Sequence, residues 1–430
     1  MLHFEEPKVR KLLMKGNVGL EKEALRVTGD GTFAGTAHPF PDNPNIVRDF
    51  SENQLEINTG VSPDAEGALA ELAEYEKKIR RKLYEKKDRE YLWPFSNPPR
   101  IKNEEEIPIA IFVGDEVHKT VYRKHLARVY GRYKMTFSGI HVNYSFDEDL
   151  LRENYAYVLK GQEKEQISYK EYKNRIYLDL TSNLIENGWI ITVLLAASPL
   201  LDGSFLTQEE NGKTDFVGMS SVRCSELGYW NHFVPAFDLS SLAGYAASIE
   251  KYIDQGWIMS QSELYYPVRL KSPGQNDLTR LVEEGVDHIE LRNVDVNPYA
   301  FAGIELNDLK FIQLLLIYDA CISPPELTGG RQIMAVANYK AAARYDIDLA
   351  GILTRKGQVI SVRKAALTLL SRMEAFYREA APEYLEVISF QKAKLTEPGK
   401  RYADRVMKEY REDFFRKGLA RIKEEQHDLS

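Results

Sequence analysis

The sequence predicts an α+β fold built on a largely antiparallel sheet, and three observations carry that prediction. Strand-like segments are short and scattered, over 17–27, 53–58, 107–113, 138–146, 264–271 and 287–296. They do not alternate with helices in a βαβ rhythm, which speaks against a parallel, doubly wound sheet. Most of them alternate apolar with charged or polar residues, the pattern of strands with one face in a core. No linker-like stretch divides the chain, so residues 1–430 are expected to form one domain, with 391–430 as a C-terminal helical extension.

Taken in order, GLEKEALRV places Glu21 and Glu23 on one face and Leu20 and Ala24 on the other. In QLEIN, Glu56 lies with Gln54 and Asn58, opposite Leu55 and Ile57. Leu69, Leu72, Tyr75, Ile79 and Leu83 recur at helical spacing, predicting a helix over 64–88. SGIHVNYSF turns His141, Asn143 and Ser145 away from Ile140, Val142, Tyr144 and Phe146. The longest apolar run, Trp189 to Leu201, contains Pro199 and is too short to span a bilayer; with the residues before it, it predicts one buried helix over 183–201. LYYPVRLK groups Tyr265, Arg269 and Lys271 opposite Tyr266, Val268 and Leu270, and HIELRNV groups Glu290 and Arg292 opposite Ile289 and Leu291. Further helices are expected over 307–321, 332–346 and 360–380. The last thirty residues are charged, with Tyr402, Tyr410, Phe414 and Phe415 spaced among them. They read as a surface helix with one packed stripe.

Composition excludes several classes. There are 57 Lys and Arg against 64 Asp and Glu, a net charge of −7, which is not the balance of a nucleic-acid binder or of a partner for an anionic membrane. The two cysteines, Cys224 and Cys321, are too far apart for a CxxC pair, so neither a disulfide scaffold nor a thiolate zinc site is a theme. Cys224 follows Arg223 but has no histidine nearby and is expected to be structural. The opening MLHFEEPKVRKLL has no apolar secretory segment, and a cytoplasmic location is expected. A GKT occurs at 212–214, but Thr207 stands where a phosphate-binding loop needs glycine. GxGxxG before a helix, HExxH and GxSxG are absent. Asn143-Tyr144-Ser145 matches a glycosylation pattern by chance, inside a core strand.

Each polar strand face alone is explained by solvent. If the strands are neighbours, however, four glutamates and a histidine converge: Glu21, Glu23, Glu56, His141 and Glu290. Carboxylates so close repel one another unless cations neutralise them. Oxygen donors with one imidazole suit Mg²⁺ or Mn²⁺ rather than zinc. Arginines beside the acids, with Arg269 and Lys271 on the next face, point to phosphate recognition and hence to a metal–nucleotide site. Asp49 has the opposite parity to Glu56 and joins the cluster only from a turn, for which SEN at 51–53 is suited. Losing the Glu290 charge is expected to abolish turnover at little cost in stability, since it relieves repulsion.

These same stretches, with RDFSENQLEINT, LWPFSNPP, VYRKHLARVYGRYKMTFSGIHVNYSF, AASPLLDGSF, SVRCSELGY and HIELRNVDVNPY, occur in an order that resembles the glutamate–cysteine ligases. The likeness is strongest to the bacterial type and to the N-terminal part of bifunctional glutathione synthetases, and it covers about residues 15–300. It implies a curved antiparallel half-barrel flanked by helices, related to glutamine synthetase, with no ATP-grasp domain following. It implies ATP-dependent joining of the L-glutamate γ-carboxylate to the amine of L-cysteine through a γ-glutamyl phosphate, with Mg²⁺. By position, Glu21, Glu23, Asp49, Glu56, His141 and Glu290 match metal ligands, and Arg292 and Arg123 match arginines at the transferred phosphoryl group. Arg223, Tyr229 and Tyr265 match positions holding the acceptor carboxylate; Phe50, Tyr122, Leu126, Met135 and Phe137 match the pocket for its side chain. Methionine at 135, where an amide is expected, leaves a different acceptor amine open. A metal-dependent phosphohydrolase and a non-catalytic relative remain as alternatives from the acidic face alone.

Overall fold

The computed structural model describes residues 1–160, 167–206, 213–274 and 277–427, so Thr207 and Gly212 of the rejected phosphate loop lie outside the described residues. The strands, in chain order, are β1 (Gly16–Thr28), β2 (Ile46–Arg48), β3 (Gln54–Asn58), β4 (Glu90–Leu92), β5 (Gly139–Phe146), β6 (Leu200–Asp202), β7 (Thr214–Phe216), β8 (Val268–Lys271), β9 (His288–Asp295), β10 (Gly351–Leu353) and β11 (Val359–Ser361). Among the described residues seven of these form one sheet, ordered β2-β3-β1-β5-β9-β8, with β4 on the far end of β1. Every pairing within it is antiparallel and the sheet stays open. β6–β7 and β10–β11 are separate two-stranded pairs.

Alternation holds along the central strands. Leu20, Ala24, Leu55, Ile57, Ile140, Val142, Ile289 and Leu291 are buried in the main core. That core is shared with the helices Ala65–Tyr84, Tyr169–Asn187, Trp189–Leu195 and Leu306–Cys321 packed over the sheet. Charge goes with them too: Lys22 is buried in the same row and paired with Glu76, itself 3.7 Å from Arg80. A buried ion pair of this kind is tolerated only because both partners are present.

On the opposite face, Leu25 and Val27 continue the row begun by Glu21 and Glu23. They are covered by Trp93, Phe95 and residues of the helices Tyr402–Tyr410 and Phe414–His427. The C-terminal aromatics are therefore more than a surface stripe. Tyr402, Tyr410 and Phe414 are buried, and Phe414 lies edge-on to Trp93 at 5.8 Å.

Four expectations need correction. Residues 107–113 are not a strand: Ile109 only bridges Ser51, because Pro108 has no N–H to donate and the neighbour is a turn. The strand predicted over 264–271 begins at Val268, after Pro267, so Tyr265 lies in an irregular segment and its placement does not follow from parity. The predicted helix 183–201 is two helices broken at Gly188 and ends at Leu195. The helix predicted from 360 begins at Val362, capped by Ser361 at the end of β11. The Val117–Tyr130 helix escaped prediction because only Thr120, Leu126 and Tyr130 are buried along it, too few for a clear period. Among the described residues no helix is long and apolar enough to cross a membrane.

Candidate active site

Register supplies what the sequence could not, the adjacency of the acidic strands. β1 is central, so Glu21 stands opposite His141 on β5 and Glu23 opposite Glu56 on β3. Glu290 on β9 stands between Asn143 and Arg269. Val142 faces Leu291 and Ile140 faces Val294, so His141 is opposed by two residues, Arg292 and Asn293. Such a bulge re-aims side chains, and both Arg292 and Asn293 reach the same cavity. Asp49 follows β2 at the turn through 51–53, as expected, and joins the cluster from there.

The cavity over this face has a volume of about 330 Å³, within the range of small-ligand sites. All six acidic or imidazole candidates line it, as do Arg123, Arg292, Arg269, Lys271, Arg223, Tyr229, Tyr265, Phe50, Tyr122, Leu126 and Met135. Phe137 stands apart. Fully buried, it packs beneath the wall and contributes only its carbonyl, which accepts the Tyr229 hydroxyl at 2.9 Å.

The carboxylates fall into two electrostatic groups. Glu290 is ringed by cations, with Arg292 and Lys271 each at 3.2 Å and Arg269 at 3.9 Å. Burial opposes its charge, but these neighbours hold its carboxyl well below the usual range. The expectation that its loss would be cheap is thus wrong for this residue: it repels Glu21, but it is also the counter-ion of three cations. Glu23 and Glu56 are the repelling members. Burial and the Asp49 charge push both up to about 8, against an ordinary 4.5. Burial raises Asp49 as well, against the pull of Arg123. For Glu21 burial is the largest influence and acts upward, but His141 and Lys271 together outweigh it and the carboxyl is lowered.

His141 is buried, and desolvation together with Arg292 brings it down to about 4, so the imidazole is neutral at pH 7. Its Nδ1 lies 3.0 Å from Glu21 Oε2, and its Nε2 is buried without a hydrogen-bond partner. One donor atom each from Glu21, His141 and Glu290 lies within 4.8 Å of the others. A neutral imidazole, carboxylate oxygens and an orphaned ring nitrogen fit a hard divalent cation.

Several candidate groups already have partners. Arg123 donates to the Asp49, Arg48 and Lys119 carbonyls, and Arg269 to those of Leu264 and Ser262. Arg223 donates to the Arg292 carbonyl at 2.9 Å and lies against Gly139. A Cβ at Gly139 would sit 2.1 Å from the guanidinium carbon, so any other residue there would displace Arg223.

Residues 1–258 and 247–341 match the family model described as glutamate-cysteine ligase. The chain belongs to the glutamate–cysteine ligase family. It is 35% identical over 416 residues to the glutathione biosynthesis bifunctional protein of Listeria monocytogenes, covering 94% of this chain and 53% of that protein. It is 29% identical to the glutamate–cysteine ligase of Pseudomonas putida, covering 88% and 79% of the two chains. Among solved structures, the bifunctional glutathione synthetase of Pasteurella multocida matches at a TM-score of 0.83 and 26% identity, over 99% of this chain and 54% of that one. The glutamate–cysteine ligase of Francisella tularensis, solved with AMP, shares the fold at a TM-score of 0.83 and 23% identity, over 96% and 89%. The chain thus spans about half the length of the bifunctional relatives it matches first.

Sequence reasoning gave no role to several residues in or beside this family member's cavity. Asn143 was placed on the right face but given no role; its amide donates to Glu21 Oε1 at 2.8 Å and fixes that carboxylate. Asn293 enters only through the bulge, which no alternation rule shows. Trp230 and Tyr339 complete the wall from segments with no local signal. Cys224 also lines the cavity, but burial pushes its thiol up to about 11, in keeping with a structural role.

Proposed function

We propose that this chain catalyses the ATP-dependent ligation of the L-glutamate γ-carboxylate to the α-amine of L-cysteine, the first step of glutathione synthesis. The observation that carries the reading is the union, in one cavity of a glutamate–cysteine ligase family member, of an acidic face, a cationic end and an aromatic wall with its own arginine. Glu21, Glu23, Asp49, Glu56, His141 and Glu290 would hold Mg²⁺, with Mn²⁺ as a substitute. When bound, such ions neutralise charge on the phosphate oxygens.

The residues of the chain divide the rest of the work. Arg269 and Lys271 lie where the phosphates of ATP need cations. Arg292, raised above its ordinary range by Glu290, Glu23 and Glu21 despite burial, stays charged and faces the transferred phosphoryl group together with Arg123. The γ-carboxylate attacks the terminal phosphorus, ADP leaves, and γ-glutamyl phosphate forms. The acceptor amine then attacks the acyl carbon and phosphate departs. Arg223, Tyr229 and Tyr265 hold the acceptor carboxylate, and Phe50, Tyr122, Leu126 and Met135 surround its side chain, with Phe137 behind them. Residues 1–430 act as one catalytic unit in the cytoplasm on small-molecule substrates. The packing of the C-terminal helices on the face of the sheet that carries the site supports the single unit.

The test is ADP release with Mg²⁺, ATP and glutamate, adding cysteine, 2-aminobutyrate, alanine or glycine in turn. Release that needs both glutamate and cysteine is expected. Release that needs glutamate but prefers another amine would keep the chemistry and change the acceptor. Release without glutamate would favour a phosphohydrolase and overturn the proposal.

A further inference from the structure

We propose that Glu263 is a positioning residue that locks together the three segments forming the acceptor wall of the cavity. The inference rests on the acceptor reading given above. Glu263 is fully buried and lies behind the cavity. Both of its carboxylate oxygens are engaged. Oε1 accepts the Tyr130 hydroxyl at 3.0 Å, and Oε2 accepts the Met259 N–H at 2.7 Å and lies 2.9 Å from His125 Nε2. Its main-chain carbonyl accepts the Asn231 amide at 2.8 Å, and the oxygen of that amide accepts the Tyr265 N–H at 2.8 Å. The Asn231 amide also donates to the Tyr130 hydroxyl at 3.0 Å.

These partners belong to the segments that carry the wall. His125 and Tyr130 are on the Val117–Tyr130 helix, which brings Tyr122 and Leu126 to the cavity. Asn231 follows Tyr229 and Trp230, and Met259 and Tyr265 flank Glu263 on its own segment. The Tyr130 ring lies edge-on to Tyr265 at 5.2 Å, so a shift of one moves the other.

A buried carboxylate is an expensive way to fill space. What it provides that an apolar side chain does not is a set of acceptors for donors from separate segments, in fixed geometry. Thr120, bonded to Phe112, and Arg123, bonded to the Arg48 and Asp49 carbonyls, hold the first half of the Val117–Tyr130 helix; His125 and Tyr130, bonded to Glu263, hold the second. Placement errors of about 1 Å in such a wall weaken catalysis as much as the loss of a direct contact.

The experiment compares the unaltered chain with Glu263→Gln and Tyr130→Phe, measuring kcat, the three Michaelis constants and thermal melting. Glu263→Gln is expected to raise the acceptor constant tenfold or more while the ATP constant changes less than twofold. Tyr130→Phe, which removes one donor, is expected to raise the same constant about threefold. If Glu263→Gln does not fold, Tyr130→Phe decides. An acceptor constant within twofold of the unaltered chain, or an ATP constant rising in parallel with it, overturns the proposal. Absence of amine-dependent ADP release in the unaltered chain overturns the functional reading and this proposal with it. Normal wild-type kinetics with an unmoved acceptor constant overturns this proposal alone.

Discussion

Glu23→Gln is the substitution that most directly tests the division of the carboxylates. Glu23 is buried and its carboxyl is raised to about 8 by desolvation and the charge of Asp49, and Glu56 is raised to about the same value. With both carboxyls raised to about 8, each is mostly protonated at pH 7 and mostly ionised at pH 9. Because the two repel each other, those protons belong to the pair. A cation bound by ionised carboxylates must displace these protons. Binding of Mg²⁺ or Mn²⁺ to the free chain is therefore expected to release about two protons at pH 7, about one at pH 8 and almost none at pH 9. In Glu23→Gln the release at pH 7 falls to about one or less, because one site is gone and its repulsion of Glu56 is relieved.

The sign for stability follows from the same values. Between about 4.5 and 8 the folded metal-free protein holds protons that the unfolded chain has lost. Stability therefore falls as pH rises through that window, by up to about 1.4 kcal/mol per pH unit for each group. Glu23→Gln removes one such slope and gains on the unaltered chain as pH rises, until divalent cation is added and the order reverses. Titration calorimetry in buffers of low and high ionisation enthalpy reads the proton count, and melting with and without chelator reads the stability. No proton release at pH 7, or the same release in Glu23→Gln, would refute the reasoning, because the carboxylates would then be ionised without metal.

Other outcomes follow from the same geometry. Glu290→Gln is expected to abolish ADP formation and also to lower stability by about 3 kcal/mol, since it leaves Arg292, Lys271 and Arg269 without their shared counter-ion; a variant as stable as the unaltered chain would contradict the pairing. Tyr265→Phe removes a hydroxyl 3.8 Å from Met135 Sδ and should raise the acceptor Michaelis constant about tenfold, with the ATP constant unmoved; movement of the ATP constant alone would place Tyr265 in the wrong subsite. Phe414→Ala should cost about 3–5 kcal/mol in a melt, because the ring is buried against Trp93 and Phe95; a loss below about 0.5 kcal/mol, the size expected at a surface position, would return the C-terminal helices to the surface. Cys224, its thiol held near 11, should resist alkylation in the native protein at pH 8; rapid labelling would show a reactive thiol instead.

Much of the site was legible because alternation is a strict rule in the middle of a sheet. Parity alone set Glu21 and Glu23, Glu56, His141 and Glu290 on the polar faces of their own strands, and the β1–β3, β1–β5 and β5–β9 pairings join those faces into one. Asp49 was legible as a turn residue because SEN has turn chemistry. What escaped depends on exceptions to parity or on charge at a distance. The bulge opposite His141 redirects Asn293, and Pro267 detaches Tyr265 from β8; no local pattern marks either placement. Lys22 follows the rule yet ends in the core, because its partner Glu76 lies on a helix 54 residues away. Which carboxylates repel and which are paired was also hidden, since the cations around Glu290 come from two strands, β8 and β9, that only the fold brings together.

Among the described residues five carboxylates and five cationic side chains line the cavity, yet they are not matched one to one. Three of the cations crowd Glu290, and the far side of the face is left with Glu23, Glu56 and Asp49 facing each other. With Glu23 and Glu56 largely protonated at pH 7, the cavity carries more positive than negative charge before any ligand arrives. On the proposed reading, protons stand in for metal ions in the free chain, and the net positive charge would favour an anionic nucleotide. As pH rises those protons leave, repulsion grows, and the demand for divalent cation grows with it. In the proposed function, the uneven placement of cations on one sheet face would thus link metal, nucleotide and proton through the same five carboxylates.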